Sequence, residues 1–145
     1  MKKQNYRAEI KAPREKVWDI LWGKDSYPKW TAAFSENSNV ITDWEEGSKA
    51  IFTDGSGNGM VARIAEKRVP EYLSIQHMGM LKDGKEIMEG PEVEGWAGAE
   101  ENYTLKEENG ITLLDIDIDV NENWKEYFDK TWPTALAKLK ELSEN

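Results

Sequence analysis

The sequence predicts an α+β fold with its helices gathered on one face of an antiparallel sheet, and two observations near the C-terminus carry that prediction. From Thr112 to Val120, the residues Leu114, Ile116, Ile118 and Val120 alternate with Asp115, Asp117 and Asp119. A period of two puts the aliphatics on one face of a sheet and the carboxylates on the other. Directly afterwards Trp124, Phe128, Trp132, Leu136, Leu139 and Leu142 recur at three- and four-residue spacing, one stripe of a helix. A sheet wet on one side and a helix with a wide apolar face bury one another.

The remaining elements follow in chain order. Tyr6, Ala8 and Ile10 alternate with Asn5, Arg7 and Glu9, a first strand with one apolar face. Pro13 suits the first residue of a helix. Val17/Leu21 and Trp18/Trp22 are i,i+4 pairs before Gly23 closes the turn. Ser26 is placed to cap a second short helix around residues 27–30. Strands are expected at Val40–Trp44, Lys49–Asp54, Met60–Val69, Tyr72–Met80, Trp96–Glu107 and Ile111–Val120. The dipeptides Asp83-Gly84 and Asn109-Gly110 are the strongest hairpin signals. The polar stretch Lys82–Glu94 reads as a long loop or a ragged strand. Asn123 with Glu126 has the spacing of a capping box for the last helix. Pro133 deletes an amide donor inside that helix, so a kink is expected near Asp129–Trp132. No repeat or linker interrupts residues 1–145, so one domain is expected.

Composition narrows the function. The chain has 145 residues, 39% of them hydrophobic and 32% charged, as in an ordinary globular protein, but seven are tryptophan. Its formal net charge of −9 repels phosphate backbones and anionic headgroups, which argues against nucleic acid and membrane surfaces as partners. No apolar run approaches a membrane span, and no apolar stretch follows the basic start to make a signal peptide. With no cysteine there is no disulfide or thiolate chemistry, and a reducing cytoplasm is the default expectation.

The segment Ile10-Lys11-Ala12-Pro13-Arg14-Glu15-Lys16-Val17-Trp18-Asp19-Ile20-Leu21, with Trp30 soon after, resembles the entry of START-like (SRPBCC) helix-grip proteins. It is most similar to bacterial homologues of the activator of a heat-shock chaperone ATPase. Val69-Pro70-Glu71-Tyr72-Leu73 is similar to the family's Pro-x-x-Leu entry into a central strand. Trp132, Ala135, Leu136 and Leu139 are similar to its closing helix. The resemblance covers nearly the whole chain and rests on order and spacing. It implies a curved antiparallel sheet of about seven strands around a long C-terminal helix, two small helices plugging one end, and a hydrophobic cavity between sheet and helix. Family members use that cavity for lipids, sterols, polyketides or hormones; some are cyclases or hydratases, and others act on chaperones. No universal catalytic set exists in the family, so no catalytic residue and no cofactor is carried over.

Asp115, Asp117, Asp119, Asn121, Asn123 and Glu126 fall at the ligand positions of a twelve-residue calcium-loop register, but Val120 stands where the loop's sharp turn needs glycine. A strand also spaces its carboxylates about 7 Å apart without convergence, so a solvated sheet face is the better reading. Gly55-Ser56-Gly57-Asn58-Gly59 lacks the Lys-Ser/Thr of a phosphate loop and leads into a strand, and so reads as a hairpin turn. His77 is the sole histidine, which argues against zinc. In phase with Leu73 and Ile75, it is either a buried, hydrogen-bonded core residue or a polar anchor in the cavity. Glu101 shares parity with Tyr103 and Leu105, so it points inward unless the register is shifted, and an inward carboxylate must be paired or hydrated. Trp18, Trp22 and Trp132 lie on helical stripes and read as core; Trp30, Trp44 and Trp96 lie near the expected cavity mouth, either plugging or lining it.

These readings converge on a binding module for a small hydrophobic molecule, lined by Phe52, Met60, Ile75, His77, Glu101, Tyr103, Phe128 and Trp132, with no metal. An alternative is a cyclase- or hydratase-type enzyme using Glu101, His77 and Tyr103 for proton transfer. That alternative requires those groups to lie within hydrogen-bond reach of one another. Binding to a chaperone partner is the third implication.

Overall fold

A computed structural model describes residues 2–145, apart from the side chain of Glu92. Its elements run β1 (Lys2–Ile10), α1 (Arg14–Trp22), α2 (Tyr27–Trp30) continuing into a 3₁₀ turn (Thr31–Ala33), β2 (Asn39–Ile41), β3 (Lys49–Thr53), β4 (Gly59–Arg68) and β5 (Tyr72–Lys82). Then come β6 (Lys85–Ile87), α3 (Pro91–Glu94), β7 (Glu100–Glu108), β8 (Ile111–Val120) and α4 (Glu122–Glu144). The strands form one antiparallel sheet in the order β1-β8-β7-β5-β4-β3-β2, with β6 pairing on β5. This is the α+β, helix-grip arrangement the sequence predicts, with α4 against the sheet and two short helices after the first strand.

The period-two alternation sorts residues as expected. Leu114, Ile116 and Val120 on β8 join Ile64, Leu73, Ile75, Tyr103 and Leu105 on the inner face. That face packs against Val17 and Leu21 of α1 and Ala135 and Leu139 of α4. On the outer face the aspartates meet β1: Lys3 Nζ lies 3.1 Å from Asp117 and Arg7 Nε 3.1 Å from Asp115. Asn102 Nδ2 donates to Asp117 at 2.8 Å, and Ser74 Oγ donates to Asn102 Oδ1 at 2.5 Å, which satisfies two buried polar side chains. Exposed pairs of this kind add little stability; their effect is to neutralise the ladder. Both hairpin dipeptides turn as their chemistry demands, with φ of 51° and 78° at Asp83 and Gly84 and of 55° and 78° at Asn109 and Gly110.

Five local expectations need correction. The β2 strand ends at Ile41, because Thr42 Oγ1 accepts from the Trp44 amide and Asp43 from that of Glu45, which turns the chain away from the ladder. Ser26 does not cap α2; its hydroxyl donates instead to the Ile20 carbonyl at 2.6 Å, satisfying a group at the end of α1. The cap of α4 is Asn121, two residues before Asn123, accepting from the Asn123 amide at 2.9 Å. The reason is that β8 stays paired through Val120, opposite Lys2, so the helix begins at once. The Lys82–Glu94 stretch is neither all loop nor one strand: it contains β6 and the single turn α3. Trp96 lies in the turn before β7, not in the strand.

Candidate ligand-binding cavity

Between the inner sheet face and the N-terminal half of α4 the layers do not close. The space left is a cavity of about 450 Å³. One wall is the stripe Tyr27, Trp30 and Phe34, which runs through α2 and the 3₁₀ turn; a second is Trp124, Phe128 and Trp132 of α4. The sheet floor presents Phe52, Met60, His77, Met80, Glu101, Tyr103 and Ile118. Trp30 is fixed by its Nε1–H, which donates to the Leu21 carbonyl at 3.0 Å. Trp132 is held by rings on several sides: Tyr6 stacks on it at 5.8 Å, while Phe34 meets it edge-on at 5.0 Å. Gly59 lies where a Cβ would come within 1.8 Å of the Phe52 carbonyl, so only glycine allows β3 and β4 to meet at the cavity's edge.

A β-bulge shapes the floor. Val61 pairs with Gly79 while Ala62 pairs with His77, which leaves Met78 as an extra residue on β5. The bulge hands the inner face from His77 to Met80, which a plain alternation would have turned outward. Seven of the eight residues expected at the site therefore border this space. The eighth, Ile75, does not: it sits fully buried between Ile64 and Glu101 on the neighbouring strands and belongs to the packed core. Tyr27, Phe34 and Met80 were not anticipated. The first two carry a readable signal, since Tyr27, Trp30 and Phe34 are spaced three and four apart.

The polar chemistry of the cavity is concentrated at one place. Glu101 lies on β7 between Ile75 and Ile118 of the adjacent strands, a carboxylate on a floor of isoleucines. The Tyr103 hydroxyl donates to Glu101 Oε2, and His77 Nε2 stands 3.3 Å from Glu101 Oε1. The Glu101 and His77 side chains retain only 16% and 12% of their exposure. Burial pushes the Tyr103 phenol well above its ordinary pKa, and the negative charge of Glu101 with the hydrogen bond to it pushes the same way. Tyr27 is raised likewise, by burial first and then by the charge of Glu101. Both phenols thus keep their protons, and Tyr103 donates its own to the carboxylate. His77 Nδ1 is buried without a hydrogen-bond partner among the described residues, as is Trp132 Nε1. No group of histidine and carboxylate side chains among the described residues is arranged to hold a metal ion.

Trp44 does not reach the main cavity. It lies behind Tyr27 and Phe52, at ring distances of 6.1 and 6.4 Å, and packs on Trp22 at 4.7 Å. There it borders a smaller niche with Trp18, Trp22 and Lys67.

The sequence profile of the AHSA1 family, described as Activator of Hsp90 ATPase homolog 1-like protein, matches residues 11–144. The chain belongs to the AHSA1 family. Solved structures agree in fold. The solution structure of the Aha1 dimer from Colwellia psychrerythraea superposes with a TM-score of 0.76 at 22% identity, covering 99% of this chain and 97% of that one. Protein MLL2253 from Mesorhizobium loti gives 0.74 at 14% identity, over 97% and 96% of the two chains. CalU16 from Micromonospora echinospora gives 0.67 at 20% identity, over 97% of this chain and 75% of that one. At such identities the likeness is one of backbone architecture. No curated protein matches this AHSA1-family chain closely in sequence. None of its described helices is long and apolar enough to cross a membrane.

Proposed function

We propose that residues 1–145 act as one START-like domain that holds a small, largely apolar molecule, such as a lipid, a sterol or a polyketide-like compound, between the sheet and α4. The observation that carries this reading is the hollow itself. A space of about 450 Å³ walled by aromatic rings, with one polar cluster on its floor, has the size and chemistry of a ligand pocket. Leaving such a space unfilled forfeits packing energy in a chain that packs tightly elsewhere. The test is a titration with the neutral dye N-phenyl-1-naphthylamine, followed by tryptophan quenching and by melting temperature. Binding to the native state alone stabilises it by about 2.7 kcal/mol at a ligand concentration 100-fold over Kd. No response to the dye or to a panel of neutral sterols and aromatics removes this reading.

A second reading, proton transfer on the bound molecule, is supported by the contiguity of Tyr103, Glu101 and His77. A carboxylate held between a phenol and an imidazole can take a proton from a carbon next to a carbonyl, with the phenol and imidazole as neighbouring donors. Deuterium exchange at that carbon of 2-tetralone, followed by NMR, tests it. Exchange no faster than in buffer, and unaltered by Glu101→Gln, eliminates the enzymatic reading. The family description supports a third role, binding to a chaperone ATPase; unchanged ATP turnover on titrating the protein into Hsp90 dismisses it.

A further inference from the structure

The charge balance of the cavity says more about its occupant than its size does. Among the described residues lining the space there is no lysine or arginine, while Glu101 lies on its floor and Asp119 at its edge. The aspartate is answered from outside by Lys3 Nζ at 3.7 Å. Glu101 has no such partner: among the described residues its contacts are the Tyr103 hydroxyl and His77 Nε2. A neutral phenol cannot cancel a charge. Whether the histidine does is decided by its other nitrogen. In the imidazolium both ring nitrogens are donors, and Nδ1–H would be a buried donor with no acceptor among the described residues. The neutral tautomer with the proton on Nε2 donates to Glu101 and leaves only a lone pair unmatched, the less costly arrangement. The unpartnered Nδ1 thus favours the Nε2–H tautomer of the imidazole, which donates to Glu101 without bringing a positive charge to it.

Each carboxylate oxygen accepts one hydrogen bond from the protein and has room for a second, and the remaining exposure of Glu101 is where the cavity reaches it. The rings around it suit the same occupant. Tyr27 is near enough for the Glu101 charge to act on its phenol, and Phe52 lies 6.1 Å from the His77 ring. Aromatic faces attract a cation and repel an anion, and they do so most strongly when water is excluded. We propose that the cavity is selective for hydrophobic amines, with the ligand's ammonium donating to Glu101 among Tyr27, Phe52 and Tyr103 and its apolar body lying toward Phe128 and Trp132. The same cavity rejects fatty acids and other anionic amphiphiles, whose carboxylates would meet Glu101 with no cation between them.

This inference rests on the binding reading above and is separable from it. Three matched probes, 2-(1-naphthyl)ethylamine, 2-(1-naphthyl)ethanol and 1-naphthylacetic acid, share one apolar body and differ in charge. Calorimetric titration of the full chain is expected to give the amine at least about tenfold tighter binding than the alcohol, with the acid weakest, since a hydrogen bond to a charged group exceeds a neutral one by about that factor. In Glu101→Gln the advantage of the amine over the alcohol is expected to disappear. If the amine binds no tighter than the alcohol in the unaltered protein, amine selectivity is overturned and the binding reading stands. Failure of all three probes to bind overturns both. The comparison within the unaltered chain decides the matter even if the variant does not fold.

Discussion

The two halves of α4 share one helix and do opposite things. After Pro133 the helix turns Ala135, Leu136, Leu139 and Ser143 into the core, and Leu139 is wholly buried. Before Pro133, from Glu122 to Lys130, only Phe128 is even half-buried, and Trp124 keeps 57% of its exposure. The proline stands at the border. Its missing amide leaves the Asp129 carbonyl outside the helical ladder, while the Asp129 side chain is held by Tyr6 at 2.8 Å and by Lys125 at 2.5 Å. What differs is the opposing layer. The second half faces α1 and β1, with Lys140 reaching the Glu9 carbonyl; the first half faces α2, Phe34 and a sheet floor interrupted by a bulge. Equal spacing of apolar residues along a helix therefore does not imply equal packing beneath it.

The contrast can be broken by mutation. Leu139→Ala is expected to destabilise the fold by about 2–5 kcal/mol, as buried leucine truncations do. Urea unfolding measures this, and naphthyl-ligand affinity should be unchanged at temperatures where the variant is folded. Tyr103→Phe comes next. It withdraws a donor from the buried carboxylate of Glu101 and is expected to cost about 1–3 kcal/mol, read as a lower urea midpoint. Trp124→Ala should stay within about 0.5 kcal/mol of the parent in stability, yet weaken the naphthyl probes, which isothermal titration detects.

Protonation sharpens the same comparison. The folded-state pKa values of Tyr27 and Tyr103 lie above their ordinary value of 10.0. Their contribution is therefore complete below about pH 10 and is lost as pH rises further, because the unfolded chain releases those protons first. Urea midpoints should fall between pH 9 and pH 11, with a shallower decline in Tyr103→Phe. The smallest effect belongs to the border. Asp129 is held below its ordinary pKa, mostly by the bond from Lys125 and then by that from Tyr6. Its contribution is present above the ordinary carboxylate value and fades as pH falls. Asp129→Asn should lower Tm slightly at pH 7 and leave it level with the parent near pH 2.

Much of this was legible in the residues. The alternation at Ile111–Val120 gave strand β8 its bounds and faces, and the parity of His77, Glu101 and Tyr103 put all three on the inner side. Parity says which way a side chain points, but not whether space or another side chain waits there. Ile75 and His77 share a face, and one is packed while the other borders the hollow. Met80 was hidden because a bulge is a property of two paired strands, and one strand read alone does not reveal the extra residue. The caps at Ser26 and Asn123 failed for a related reason. Several polar side chains near a helix start are competent to cap it, and long-range pairing, here Val120 with Lys2, decides where the helix begins.

The ring contacts have an optical consequence. Trp44 touches Trp22, Trp22 touches Trp18 and Tyr103, Tyr103 touches Trp132, and Trp132 touches Trp30, each at 4.7–6.3 Å between centroids. Indoles as close as Trp30 and Trp132 exchange excitation before they emit, so an occupant that darkens Trp132 will also dim Trp30, whose ring is buried beside it.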